Sequence, residues 1–414
     1  MPLLRRRAPT YRRATDITGA RLGNALLGYL AVVTLVVTLA PFDFALRPVH
    51  GLSWWVTPRD LLLNVVMFLP LGFVYELTRP SGRRVQLVGA LWRAALFSGA
   101  IETAQLFSPS RFSSLADVAM NVLGALLGAI GYGLVVRRLD GPKAVRSLAL
   151  ELPLTGLVYL LIPLMWLIGL TSDGTDRDWL ILPIAGAAGT ILGSVHGAVL
   201  EGQTQRPAKW LWVLCLVWFA IALLPGAIRD PLVLGVSALA LLATALWRRL
   251  VAGRIAGRPE HRRFELPTLR IVLPMFLLYL VVAALWPLTA LEPQWHGILL
   301  TLRVAPNSHA AIFRPLEQLA AYSLLGYAVA EWYGRDFPRY RDLVRRVLLL
   351  SGAAALTLEL ASGFLPNASG SLTLGALCVI AAAVGGWLYG LQRDHVRALI
   401  VRRMTPNAIL ALAE

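Results

Sequence analysis

The sequence has little charge and little cysteine, and each shortage narrows the class of protein. Charged residues make up only 15% of the 414 residues, whereas 57% are hydrophobic, a balance that a water-soluble chain of this length does not carry. The two cysteines, Cys215 and Cys378, lack metal-type spacing and are interpreted as packing residues. No ATP-, haem- or zinc-binding motif is present, so no cofactor is evident.

Long apolar runs bounded by charge fill the chain instead. A bilayer core about 30 Å thick needs roughly 20 apolar residues per helical span. The pattern predicts an all-α protein, a polytopic transmembrane helical bundle with twelve spans. The predicted spans are 24–40, 60–77, 87–107, 115–136, 149–170, 180–200, 210–227, 231–247, 271–290, 313–332, 344–365 and 371–391.

The net charge of +16 arises from 39 Lys and Arg residues against 23 Asp and Glu residues. Most of the basic residues fall in the two tails and in alternate loops, which the positive-inside rule assigns to the cytoplasm. Both termini are therefore predicted to be cytoplasmic, in the inner membrane of a bacterial-type cell. No nucleic-acid partner is expected, because no basic stretch accompanies a stacking or groove-reading element.

The two ends of the chain share a spaced pattern. Leu71, Gly72, Glu102, Phe107 and Pro109 in the first part correspond to Leu325, Gly326, Glu359, Phe364 and Pro366 in the last. We interpret the match as a duplicated four-helix unit on either side of a central one. The predicted division is a basic tail 1–23, a first unit 24–136, a central unit 149–250, a second copy 271–391 and a tail 392–414.

Ionisable and amide side chains are costly to place in a bilayer, so they are the functional candidates. In the first unit two such pairs are spaced four apart, which puts each pair on one helix face. Two more polar residues lie at the end of the antiparallel span between them, and an arginine follows in the short outer loop. The candidate site residues are Asp60, Asn64, Glu102, Gln105, Arg111, Asp117 and Asn121.

Together with Pro70, Gly72, Gly124 and Gly128, these residues resemble the VanZ-like domain. That family is named for a membrane protein linked to low-level resistance to the glycopeptide teicoplanin, which acts on the outer face of the cell envelope. The resemblance implies an envelope role and an outward-facing polar cluster, but it supplies no reaction. Independently of it, the stripe of Gly124 and Gly128 predicts close helix packing, as does that of Gly189 and Gly193.

The second copy keeps only the glutamate of the candidate site, as Glu359. The other aligned positions, in the same order, are Arg314, Gln318, Ser362, Ala368, Leu374 and Cys378. This loss predicts one working site per chain, in the first unit. Two interpretations of Glu317 and Glu359 with Arg314 are open, a residual site and a structural pair, and the structural pair is favoured.

Two interpretations of the candidate site remain open. In the functional one, Glu102, Asp117 and Asp60 serve as acid, base or ligands of a divalent cation, while Arg111 grips a phosphate. Asn64, Gln105 and Asn121 would then bind the ligand, a membrane lipid or a lipid-linked envelope precursor. In the structural one, Arg111 neutralises Asp60 or Asp117, and the amides cap or bridge helices.

Three functions follow from these interpretations. The favoured one is an envelope factor or enzyme acting on a headgroup or lipid-linked phosphate, with glycopeptide resistance as the family's associated trait. A transporter or flippase of an envelope precursor is the second, since duplicated helical units are a known transporter architecture. The third is a non-catalytic scaffold of envelope or polysaccharide machinery. The sequence sets neither the substrate nor the oligomeric state.

Overall fold

The computed structural model describes most of the chain and leaves short gaps between helices. The described residues are 2–54, 57–80, 84–138, 142–172, 176–197, 209–223, 228, 230–256, 265–300, 309–334, 340–366 and 370–403.

Within these ranges the chain forms twelve α-helices, one at each predicted span, and the all-α prediction is confirmed. Short 3-10 helices cover Asp176–Leu180 and Leu288–Ala290, and two short parallel strands, β1 (Ile298–Leu299) and β2 (Gly370–Ser371), pair with each other. The helices are α1 (Pro2–Leu39), α2 (Pro58–Leu77), α3 (Leu87–Gln105), α4 (Leu115–Arg138), α5 (Pro142–Ser172), α6 (Ile181–Val195), α7 (Lys209–Leu223), α8 (Pro231–Ala256), α9 (Glu265–Ala284), α10 (His309–Tyr333), α11 (Tyr340–Ser362) and α12 (Leu372–Arg403).

Seven of the helices in the described residues are long and apolar enough to cross a membrane, which supports a multi-pass membrane protein. Two further apolar helical segments, Gly156–Ser172 and Leu211–Leu223, are shorter. The seven candidate spans are Thr15–Leu39, Pro58–Leu77, Leu115–Leu134, Asp176–Val195, Pro231–Val251, Leu266–Ala284 and Leu372–Leu399. The full count of twelve spans and the direction of each remain predictions.

The chain divides into two compact units. The first contains residues 1–150 together with 391–414, and the second contains residues 151–390. The second unit thus holds most of the predicted central unit and of the predicted second copy.

Glycines set the spacing of α2 and α4 in the first unit. A side chain on Gly72 would overlap the carbonyl of Ala125, and one on Gly128 would overlap the carbonyl of Leu69. Gly124 makes a similar backbone approach. The predicted small-residue packing is therefore confirmed, and it holds the polar starts of α2 and α4 side by side.

Glycines also allow close contact between helix backbones at two places in the second unit. A side chain on Gly189 or Gly193 of α6 would overlap the backbone of α8, at Leu241 and Ala245. A side chain on Gly326 of α10 would overlap the carbonyl of Ala382 on α12.

Glu317 interacts electrostatically with Arg314, as a structural pair implies, but a different arginine contacts its carboxylate. The Glu317 carboxylate accepts two hydrogen bonds from the Arg177 guanidinium, at 3.0 and 2.9 Å. Both residues are buried, whereas Arg314 is exposed. Burial favours Arg177 as the partner. A carboxylate that is shielded from water needs an opposite charge within hydrogen-bond distance, and the buried Arg177 provides it.

Candidate functional site

Two loops lie at the predicted outer end of the first unit, and we call residues 40–54 and 106–114 the outer loops. They are joined by backbone hydrogen bonds, among them Ser53 N–H to Ser113 O at 2.9 Å and Ala45 N–H to Phe107 O at 2.7 Å. A single parallel bridge pairs Ser53 with Ser114. This pairing fixes the amide of Ser114 directly before α4 begins.

The Glu102 side chain is hydrogen-bonded to the backbone amide of Ser114. The Ser114 N–H donates to Glu102 Oε2 at 2.7 Å, and the Glu102 side chain comes from the last turn of α3. Glu102 is only 5% exposed. One carboxylate oxygen therefore holds α3 to the start of α4, and the Ser113 side chain and the Asp117 charge also act on this carboxylate.

Three of the predicted carboxylates lie close enough to act on one another. Asp117 interacts electrostatically with Asp60 and with the side chain of Asn64, and Glu102 interacts with Asp117. We call Asp60, Glu102 and Asp117 the acidic trio. Among the described residues no arginine, lysine or histidine forms an ion pair with any of the three.

Asp60 has a second, local task at the start of α2. Its backbone N–H donates to Thr57 Oγ1 at 3.2 Å, and the Thr57 hydroxyl donates to Asp60 Oδ2 at 2.6 Å. With Pro58 in the first turn, this is a capping box. Asp60 is exposed and already used as a cap, so it is the outermost and least specialised member of the trio.

Two acceptor atoms, one in the trio and one on Asn121, lack hydrogen-bond donors. Asp117 Oδ1 and Asn121 Oδ1 are buried without a hydrogen-bond partner. Asn121 is 2% exposed, and its Nδ2 donates to Ser98 Oγ at 2.8 Å. A buried acceptor without a donor is costly. The site thus calls for a proton, a hydroxyl, an ammonium group or a cation.

Arg111 and Gln105 do not face the acidic trio. Arg111 donates from Nε and from a terminal nitrogen to Ala40 O, at 2.9 and 2.7 Å, and also to Val37 O at 3.3 Å. Gln105 Nε2 donates to Thr38 O at 3.0 Å. Both side chains cover the last carbonyls of α1, where a positive charge also complements the helix dipole.

Asp43, which the sequence interpretation missed, holds the outer loop near Arg111. It accepts from Ser108 Oγ at 2.5 Å and from Ser110 Oγ at 3.1 Å. Slight desolvation of the exposed Asp43 carboxylate would alone raise its pKa, but these hydrogen bonds outweigh it and lower the pKa. Burial lowers the pKa of the Arg111 guanidinium, and the Asp43 carboxylate offsets part of that change.

Ser98 is the other missed residue, and a signal for it was present. It precedes Glu102 by four positions, so both lie on the single buried face of α3. For Asp43 no local spacing gives a signal, because its serine partners come from the other outer loop.

We expect Arg111→Ala to destabilise the protein without removing a ligand contact. Three hydrogen bonds from a charged donor to the end of α1 are lost, at a cost of about 1.5–3 kcal/mol. The melting temperature in detergent should fall, with Arg111→Lys intermediate. An unchanged melting temperature together with lost activity would instead make Arg111 the predicted phosphate clamp.

A divalent cation finds few ligands here. No group of three His, Cys, Asp or Glu side chains in the described ranges is arranged to hold a metal ion. Asp60 and Asp117 are two carboxylates, and the six to eight oxygens that Ca²⁺ prefers would have to come largely from a ligand and water.

The helices and their lengths define the class of this chain, a multi-pass α-helical membrane protein. Comparison with family models then identifies a known domain in its first unit. Residues 18–136 match the VanZ/LLP1 family, so the chain carries a VanZ-like domain that spans α1 to α4 and both outer loops. No curated protein and no solved structure matches the chain.

Proposed function

We propose that this protein is a cell-envelope factor of a bacterial cytoplasmic membrane that binds the headgroup of a lipid or lipid-linked precursor through the acidic trio. Glu102 and Asp117 would act there as acid, base or hydrogen-bond acceptors. The observation that carries the proposal is the pair of buried acceptors, Asp117 Oδ1 and Asn121 Oδ1, beside carboxylates without a basic partner.

The surroundings of the trio support a site at the membrane boundary. Both outer loops follow or precede candidate spans, and they expose large apolar side chains. Leu46 is fully exposed, and Trp54 and Phe112 are each 72% exposed. Aromatic and aliphatic side chains at this level are typical of a membrane interface, where a lipid headgroup would lie within reach of the trio.

One observation favours the scaffold as a second candidate. Glu359 Oε2 accepts a hydrogen bond from the amide of Ser371 at 2.6 Å, just before α12. Glu102 makes the corresponding bond to Ser114 before α4. A glutamate that accepts the same backbone hydrogen bond in both copies has a structural role in each of them. The repetition also supports the proposed internal duplication.

The rest of the second copy supports a single working site. Ser362, Leu374 and Cys378 stand where the first copy has Gln105, Asp117 and Asn121, and Ala368 lies outside the described residues. Beside Glu359 there is a cavity of about 170 Å³ lined mainly by apolar side chains and glycines. Glu359 is therefore a matched control, with the same backbone contact and without the polar partners.

The test is complementation of a deletion strain with Glu102→Gln, scored for sensitivity to envelope-directed antibiotics and for membrane abundance. Glutamine keeps an acceptor for Ser114 N–H but removes the charge, so we expect normal abundance with activity reduced at least about tenfold. Asp117→Asn should behave alike, and Glu359→Gln should match wild type.

The scaffold interpretation gives a different pattern. If Glu102→Gln and Glu359→Gln lose abundance together, or neither alters sensitivity, the acidic trio is structural. The proposed headgroup site would then be wrong.

A further inference from the structure

Arg248 is a buried cation in the second unit for which the described part of the chain supplies no carboxylate partner. It lies three residues before the end of the candidate span Pro231–Val251 and is 4% exposed. Among the described residues no carboxylate forms an ion pair with it, and no charged side chain acts on it. A buried charge without a counter-charge is strongly unfavourable, so its surroundings need explanation.

Helix packing explains why Arg248 is buried. Gly189 and Gly193 of α6 press against Leu241 and Ala245 of α8, so the two backbones are in contact. Arg248 follows Ala245 by three positions and falls on the same side of α8. Because the helices approach closely, the guanidinium of Arg248 lies buried between its own helix, α8, and the neighbouring α6 and α9.

Two hydroxyl groups hold one edge of the guanidinium. Nε donates to Ser194 Oγ of α6 at 3.1 Å, and a terminal nitrogen donates to Thr268 Oγ1 of α9 at 3.1 Å. Thr268 donates in turn to Ser194 Oγ at 2.9 Å, and Ser194 donates to Thr190 O at 2.8 Å. The hydroxyl groups are thus satisfied, and they orient the arginine without neutralising it.

The remaining donors define what would bind. An arginine side chain has five N–H donors, and the described contacts use two of them. The outer edge, made by the two terminal nitrogens, keeps a parallel pair of N–H groups. That geometry matches two oxygens of one phosphate group.

We propose that Arg248, Ser194 and Thr268 form a binding site for a phosphate group, at the helix ends that the distribution of Lys and Arg places on the cytoplasmic side. The guanidinium binds two phosphate oxygens, and the two hydroxyls hold it in position. An anionic lipid headgroup and a free phosphate share this chemistry. The site is independent of the acidic trio, because it lies in the other compact unit.

Native mass spectrometry of the full-length, delipidated protein tests the site. We titrate phosphatidylglycerol, phosphatidylcholine with the same acyl chains, and inorganic phosphate. Phosphatidylglycerol should bind wild type more tightly than phosphatidylcholine does. Arg248→Met should weaken this binding roughly tenfold, or 1.4 kcal/mol. The control Arg270→Met removes an exposed arginine of α9 and should leave it unchanged.

Each other outcome is decisive. If inorganic phosphate binds wild type and the control but not Arg248→Met, the site is an anion site occupied by free phosphate. If Arg248→Met does not accumulate, Arg248→Lys keeps the charge without the planar fork and should still weaken phosphatidylglycerol binding. Equal binding of both lipids to wild type without any binding of inorganic phosphate, or unchanged binding in the Arg248 variants, would overturn the proposal.

Discussion

Gly72→Ala should leave little or no folded protein in the membrane, although it adds a single methyl group. That methyl would overlap the backbone carbonyl group of Ala125. Neither group can move aside, because the methyl is attached directly to the backbone of α2 and the carbonyl belongs to the backbone of α4. Overpacking of a rigid contact costs about 3 kcal/mol, a large part of the stability of an ordinary domain. Membrane abundance and the melting temperature in detergent are the measurements.

Gly99→Ala is the matched control for this change. Gly99 lies inside α3, and a side chain there meets no atom within 4 Å. Since alanine is favoured over glycine in a helix by about 1 kcal/mol, this variant should be as stable as wild type or slightly more so. Normal accumulation of Gly72→Ala would show that α2 and α4 are not in backbone contact.

Gly326→Ala extends the comparison to the second unit. Its methyl would overlap the carbonyl of Ala382, as that of Gly72→Ala overlaps the carbonyl of Ala125. Equal losses in both variants would support the proposed duplication, because the same helix contact would then be required twice.

The positions of the helices could be predicted from sequence because a bilayer dictates their length and composition. An apolar run such as 60–77 has only one low-energy structure in lipid, a helix that satisfies its own backbone. The observed α2 (Pro58–Leu77) differs from that prediction by two residues, Pro58 and Arg59, which lie between the two members of its capping box. The stripe of Gly124 and Gly128 likewise predicted a contact that the structure has.

The directions of polar side chains could be predicted only where spacing along one helix decides them. Asp117 and Asn121 are four apart, and both carry buried acceptors without donors. Arg111 lies in a loop, and whether it meets Asp60 or the carbonyl of Ala40 depends on how two loops pair. That pairing involves residues far apart in sequence and leaves no periodic signal.

The partner of Glu317 shows the same limit more sharply, since Arg177 is 140 residues away and Arg314 only three. Sequence proximity favoured Arg314. The structure places Arg177 in the short helix Asp176–Leu180 and brings it to Glu317 of α10. Contacts between residues distant in sequence outweigh nearness in sequence here, because the Glu317–Arg177 pair is buried away from water.

Glu317→Gln should cost about 3–5 kcal/mol, the range for removing one partner of a buried ion pair. The carboxylate accepts from Arg177 at 2.9 Å, from Tyr279 Oη at 2.7 Å and from Thr171 Oγ1 at 2.6 Å. Glutamine offers one acceptor oxygen and adds an N–H₂ donor opposite groups that are themselves donors. Arg177 keeps its charge and loses the carboxylate that accepts its hydrogen bonds at 2.9 and 3.0 Å.

Two further variants separate loss of the charge pair from loss of a side chain. The double variant Glu317→Gln with Arg177→Met removes both charges and should recover much of the lost melting temperature, because neither charge of the pair is then left buried without the other. Glu292→Gln breaks a pair with His296 in which the Glu292 side chain is 47% exposed, so it should change stability by less than about 1 kcal/mol. Equal melting temperatures for Glu317→Gln and Glu292→Gln would mean that water reaches the Arg177 pair. A double variant less stable than Glu317→Gln would mean that Arg177 stabilises the unit through contacts other than this carboxylate.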